Sequence, residues 1–194
     1  MYALDEDGSA AKISLDTVPQ MPINTATLGE PVIRPYRPAD YSGVLRGMRD
    51  LQDHERALHP SRRAAAEVAE AYLARLLQRV ADRAGAIFVA EAAGAVIGFI
   101  ACYIKNTESL IETASFSRYG FVSDLDVAAA WRGRRLAQRL LASAEQHLAQ
   151  HGVTRLRTGV LAANTAAQRA YARYGFAPYE NELEKPIAMT GRNT

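Results

Sequence analysis

The densest chemistry in the sequence lies in the run Leu125-Asp126-Val127-Ala128-Ala129-Ala130-Trp131-Arg132-Gly133-Arg134-Arg135-Leu136-Ala137. The residues up to Val127 predict a strand, followed by a short turn that feeds directly into a helix. The first amide N–H groups of a helix have no partner within it, and the macrodipole adds partial positive charge there. An anion bound at that point therefore gains hydrogen bonds and Coulomb attraction together. Small residues such as Gly133 and Ala137 let a phosphate approach the backbone, and Arg132, Arg134 and Arg135 add fixed charge. Without an anion, each cation at a helix start opposes the dipole by roughly a few tenths of a kcal/mol. Three together favour a bound anion over an idle, solvated turn.

The elements that must hold this turn follow from periodicity. A short strand is predicted over residues 32–37, confined by Pro35 to a sheet edge or an irregular position, and Asp40 can cap a helix over 41–53. A second helix is expected from Ser61 to about residue 80, with Val68, Tyr72, Leu73, Leu76, Leu77 and Val80 at helical spacing. Residues 86–91 and 96–104, joined through Gly94, predict an antiparallel hairpin. Residues 105–118, with Glu108 and Glu112, carry no clear period. A strand follows over 119–127. Residues 132–150 form the strongest helix, with Leu136, Leu140, Leu141, Ala144 and Leu148 on one face and Gly152 as its stop. A strand over 153–161, a helix over 164–174 closed by Gly175, and one or two strands over 176–187 complete the order. That order is a mixed α/β fold with a parallel crossover in its second half. Residues 1–30 show no sustained period and read as a loosely ordered extension, leaving one domain over 31–190.

A second patterned segment is Asn164-Thr165-Ala166-Ala167-Gln168-Arg169-Ala170-Tyr171-Ala172-Arg173-Tyr174-Gly175-Phe176. With Leu125-x-Val127 and the turn Arg132-Gly133-Arg134-Arg135-Leu136-Ala137, it resembles the GNAT superfamily of acetyl-CoA-dependent N-acetyltransferases. The turn is similar to that family's phosphate-binding signature, departing from it at Arg135, where glycine is usual. Because a helical φ suits any residue, the expectation is that Arg135 leaves the pocket intact.

The resemblance, which covers residues 119–178, implies the acyl-CoA N-acyltransferase fold. This is a central mixed sheet, flanked by helices, in which two parallel strands splay around acetyl-CoA. It further implies that the amides from Gly133 through Leu136, Ala137 and Gln138 hold the pyrophosphate. The backbone of Leu125, Asp126 and Val127 would hold the pantetheine arm, with the N–H near Leu125 polarising the thioester carbonyl. Asn164 would hydrogen-bond the same arm. Tyr171 corresponds to the general acid, since a phenol is protonated at neutral pH and can donate to a departing thiolate. Its alternative is a core ring. An amine of pKa about 10 must lose a proton, and Asp124 is the candidate base beside water relays. Strand alternation puts Asp124 and Asp126 opposite Ser123 and Leu125, although a bulge could re-aim either. Ser123 stands where many relatives carry an acid or histidine, and Glu112 could reach in from the preceding segment. Asp53 and Glu55 lie where the fold rims the acceptor pocket and could attract a cationic amine, or form a solvated helix end.

The remaining features limit the function. The chain of 194 residues is 48% apolar and 23% charged, with a net charge of +2, too small for nucleic-acid binding by bulk charge. The single cysteine, Cys102, allows no internal disulfide and sits in an apolar run that reads as core. His54, His59, His147 and His151 lack metal-ligand spacing, so no metal is expected. No apolar run approaches membrane-spanning length and the acidic start is unlike a signal peptide, which together predict a cytoplasmic protein. The expected partners are acetyl-CoA and an amine acceptor, with a homodimer left open. The competing reading is a CoA-binding sensor or regulatory module without turnover. A general phosphate binder would leave Asn164 and Tyr171 unexplained.

Overall fold

The computed structural model of the chain describes residues 29–107 and 109–187. The extension expected over residues 1–30, apart from its last two residues, lies outside these, as does Glu108. The elements are β1 (Val32–Pro35), α1 (Tyr41–Leu58), α2 (Ala65–Asp82), β2 (Ala86–Ala92), β3 (Ala95–Asn106), α3 (Ala114–Ser117), β4 (Arg118–Val127), α4 (Leu136–Gln150), β5 (Leu156–Thr158) and α5 (Thr165–Tyr174). Five strands form one sheet in the order β1-β2-β3-β4-β5. Its first three pairings are antiparallel, and the last, β4 with β5, is parallel. The edge position expected for the Pro35 strand is observed. The β2–β3 hairpin turns through Ala93 (φ 48°) and Gly94 (φ 76°), a left-handed pair that matches strand twist.

Successive β3 side chains divide between two cores. Phe99 and Ala101 pack with Val89, Val44, Met48, Leu73 and Leu76 under α1 and α2. Ile100 and Cys102 pack with Val122, Leu140, Leu141, Ala144 and Leu148 under α4. The Cys102 thiol is fully buried, and burial pushes its pKa up to about 11, as suits a core residue rather than a nucleophile. Helix α1 approaches the sheet closely because two of its residues are glycines. A Cβ on Gly43 would lie 2.7 Å from Val96 Cβ, and one on Gly47 would lie 3.0 Å from the Phe99 ring and 3.2 Å from Asp126 Oδ2. That approach sets the following turns of α1 against β4.

Several boundaries differ from the sequence expectation. Helix α1 continues to Leu58 instead of ending near Asp53. Helix α2 starts at Ala65, after Ala64 rather than a Ser61 cap, because the Asp53 carboxylate accepts the Ala65 N–H at 3.1 Å. Asp40 does not cap α1 with its side chain. It is buried, paired with Arg34 at 2.7 Å, and accepts the Arg37 N–H at 2.7 Å. The unassigned segment supplies the end of β3 and the short α3. No strand forms over residues 176–187. Pro178 and Pro186 lack the N–H a ladder needs, and Tyr179 donates instead to Glu112 at 2.6 Å. Among the described residues, no helix is long and apolar enough to cross a membrane.

Candidate active site

Strands β4 and β5 pair only over Gly120↔Leu156, Phe121↔Arg157 and Val122↔Thr158. The Thr158 hydroxyl donates to the Val122 carbonyl at 3.0 Å, and beyond that link the two strands part. The backbone of residues 123–127 therefore faces a gap on the β5 side. On the β3 side, Ala101 pairs with Asp124 and Cys102 with Val122, so Ser123 is the extra residue of a bulge. A bulge shifts the alternation by one. Val122, Leu125 and Val127 consequently face α4, whereas Phe121 and Asp124 share the α1–α2 face with Asp126.

This shift places two carboxylates beneath α1 and α2. Asp124 is 8% exposed and accepts the Tyr72 hydroxyl at 3.3 Å. Burial raises its pKa to about 6, against the pull of the Ser123 and Tyr72 hydroxyls, and the Glu55 carboxylate pushes it further up. Asp126 is similarly buried and also raised to about 6, chiefly by burial. Arg132, 3.7 Å away, opposes that rise, while Asp50 on α1 adds to it. Tyr171 of α5 packs against the α4-side core, beside Phe176, within range of the Asp124 charge. Burial raises its phenol above 10, a hydrogen bond with Thr158 lowers it, and the Asp124 and Glu55 carboxylates raise it. Tyr171, Asp124 and Glu55 thus lie within range of one another's charge near the place where β4 and β5 separate. Glu55 is held by Arg62 at 2.7 Å.

Other candidates are engaged elsewhere. Asp53 serves the start of α2. Glu112 bonds Arg157 (3.1 Å), Thr107 (3.1 Å) and Tyr179 (2.6 Å) at the opposite end of β4, which makes it a clasp rather than a base. Asn164 caps α5, its Oδ1 accepting the Ala167 N–H at 3.1 Å, and the cap uses none of its amide donors.

The turn after β4 departs from expectation in one respect. Helix α4 begins at Leu136, not Arg132, and Arg135 just before it is left-handed (φ 61°) rather than helical. Gly133 is left-handed too (φ 78°), and a Cβ there would meet nothing within 4 Å. The Arg135 carbonyl accepts the Arg139 N–H at 3.1 Å, so the N–H groups of Leu136, Ala137 and Gln138 precede that helical bond. The Arg132 Nε donates to the Val127 carbonyl at 2.8 Å, and Arg134 lies over the buried Trp131 ring at 4.9 Å. An open turn that ends in helix-start amides, with guanidinium groups beside it, fits a pyrophosphate. The usual glycine at position 135 thus has a conformational reason, and arginine there is strained. Arg135→Gly should accordingly stabilise the fold by about 0.5–1 kcal/mol, after the entropy glycine adds to the unfolded chain. Urea unfolding measures this, and a loss of stability would contradict the strain.

Tyr72 touches Asp124 and Thr158 closes the last β4–β5 pair, although in the sequence they are only an apolar helix position and a strand residue. Only the strand register and the α2 docking angle reveal them. Two concavities, of about 470 Å3 beside Arg83 and Arg118 and about 310 Å3 beside Tyr174 and Phe176, lie away from this gap. Among the described residues, no group of three or more His, Cys, Asp or Glu is arranged to hold a metal.

The family model described as Acetyltransferase (GNAT) family matches residues 48–176. Among solved structures, a GCN5-related N-acetyltransferase from Ralstonia eutropha is similar at TM-score 0.64 and 26% identity, over 81% of this chain and 99% of that one. An aminoglycoside N-acetyltransferase in complex with CoA is similar at TM-score 0.60 and 23% identity, over 81% and 95%. An aminoglycoside 6'-N-acetyltransferase from Acinetobacter haemolyticus has TM-score 0.58 and 18% identity, over 81% and 99%. No curated protein matches the sequence significantly.

Proposed function

Because the chain belongs to the acetyltransferase (GNAT) family and is thereby an acetyl-CoA-dependent acyltransferase, we propose that it acetylates a primary amine by direct attack in a ternary complex. The observation that carries this reading is the parting of β4 and β5 beyond Val122↔Thr158, with Asp124 on the strand that lines the gap and Tyr171 within range of its charge.

Acetyl-CoA, when bound, supplies an acetyl group activated as a thioester. The amides from Gly133 to Gln138 hold its pyrophosphate, assisted by the charges of Arg132, Arg134 and Arg135. The backbone of Leu125, Asp126 and Val127 and the amide of Asn164 hold the pantetheine arm. The N–H near Leu125 polarises the thioester carbonyl as a single oxyanion donor. Tyr171, protonated at neutral pH, holds a proton for the departing thiol. Asp124 takes the proton from the attacking amine, directly or through water. Glu55 and Asp50 draw a cationic acceptor toward it.

Two measurements test the reading. Acetyl-CoA should raise the melting temperature, because a ligand of the folded state alone stabilises it by mass action. At 100 times its Kd the gain is about 2.7 kcal/mol. Reversing the charge at Arg132 and Arg134 together should shrink that gain, and no shift at millimolar acetyl-CoA would refute cofactor binding. Release of free CoA across a panel of amines then separates a working enzyme from a binding module.

A further inference from the structure

Beyond Asp124, the floor of the α1–α2 face continues as an aromatic strip. Phe121 and Tyr103 stand side by side, with ring centroids 5.7 Å apart. Three cations converge on this pair. Lys105 Nζ sits 3.4 Å above the Phe121 ring, and the Arg79 and Arg83 guanidinium carbons lie 5.5 and 5.8 Å from the Tyr103 ring. The described ion pairs include none of the three. The neighbouring Asp82 is hydrogen-bonded to Gln78 at 2.7 Å. Lys105 is partly buried, and its pKa is lowered by burial and by the positive charge of Arg79 and Arg83. Three like charges gathered here repel one another, offset only in part by the Asp124 carboxylate that acts on Arg79 and by Asp82 beside Arg83, and a bound anion relieves the remainder.

The strip begins at the proposed reaction centre. Tyr72 bonds Asp124, and Arg79 follows it by two turns of α2, about 10 Å along the helix axis. On the floor, Phe121 precedes Asp124 by three strand residues, again about 10 Å at most. One end of this face thus carries carboxylates suited to an amine, and the other carries cations suited to an acid.

We infer that the Arg79–Arg83–Lys105 strip is an acceptor subsite for an anionic group, so that the acceptor is a primary amine bearing a carboxylate or phosphate about 10 Å from its nitrogen. The assignment rests on the proposed acetyl transfer for the amine end alone. An extended tripeptide has this span, at about 3.3–3.6 Å per residue.

Binding is tested separately from turnover. Calorimetry on the full chain with CoA present compares triglycine with its C-terminal amide, and an eight-carbon aminoalkyl phosphate with the matching amino alcohol. The anionic member of at least one pair should bind about ten-fold tighter or more, as expected for charge-assisted hydrogen bonds, and should weaken with salt. The preferred pair identifies carboxylate or phosphate. In the Arg79→Gln, Lys105→Gln double variant, checked for an unchanged melting temperature, the ratio should fall toward one. Equal binding within both pairs, no binding at millimolar ligand, or a ratio that survives in the folded double variant overturns the subsite. Arg83→Gln, at an exposed position, provides the same comparison if the double variant fails to fold. CoA release from the same amines judges the acetyl-transfer reading independently.

Discussion

Replacing Tyr171 with phenylalanine is expected to lower kcat by roughly 10²- to 10⁴-fold, the range for loss of a general acid. Acetyl-CoA affinity should change little. The ring packs edge-on against Phe176 with centroids 5.3 Å apart, and phenylalanine keeps that contact. What disappears is the hydroxyl, which interacts with Thr158 where the strands part. Losing that interaction should cost at most about 1 kcal/mol of stability, visible as a small drop in melting temperature. The phenol is held above its ordinary pKa by burial and by the Asp124 and Glu55 carboxylates, so it stays protonated across neutral pH.

An acid that protonates a leaving thiolate matters less when the thiolate is already stable. The defect should therefore shrink with an acyl donor whose thiol has a lower pKa. A variant with full specific activity but a lowered melting temperature would make Tyr171 a packing residue and move the proton donor to water. A kcat defect of the same size for every donor would likewise argue against proton donation, because it would report misplacement of the strands.

Local interactions explain why the proposed anion turn is legible in the sequence itself, whereas Tyr171 and Asp124 are named only through the family resemblance and their partner Tyr72 not at all. Residues 132–137 are contiguous, so composition alone indicates small residues, positive charge and a helix start. Even there the left-handed Arg135 escapes notice, because an arginine residue carries no signal of positive φ. Asp124 is different. Its placement depends on an extra residue at Ser123, which becomes evident only from pairing with β3, and on Tyr72 from a helix that precedes it by 52 residues. Glu55 and Asp53 are equivalent in the sequence, two positions apart in Asp53-His54-Glu55-Arg56. The turn of α1 sends the first toward Asp124 and the second to the start of α2. The absent strand over residues 176–187 has a similar cause. Its residues can adopt extended backbone, but Tyr179 closes on Glu112 while the Arg157 guanidinium lies between the Tyr119 and Tyr179 rings.

Asp124→Asn should likewise reduce kcat/KM by roughly 10²- to 10⁴-fold at pH 8, if the carboxylate takes the amine proton. Burial raises that carboxyl to about 6, so the wild-type profile should lose activity as pH falls through about 6. In the variant this acid limb should vanish. Stability should move the opposite way. A carboxyl with pKa about 6 folded and about 4 unfolded binds more protons in the folded state between those values. Wild-type stability therefore falls as pH rises across that window and stays reduced above it, by about 2–3 kcal/mol at full ionisation. Asparagine carries no charge and can still accept the Tyr72 hydroxyl, so the variant should be more stable than wild type at pH 8. The advantage should fade below about pH 4. Asp126 shares the raised pKa, and its own asparagine variant identifies which carboxyl sets the limb. Near-full activity of Asp124→Asn with the limb retained would assign deprotonation to a water relay and leave Asp124 as a buried charge beside the gap. Gain of stability coupled to loss of the limb would instead mean that the burial that destabilises the fold is what keeps the base poised near neutral pH.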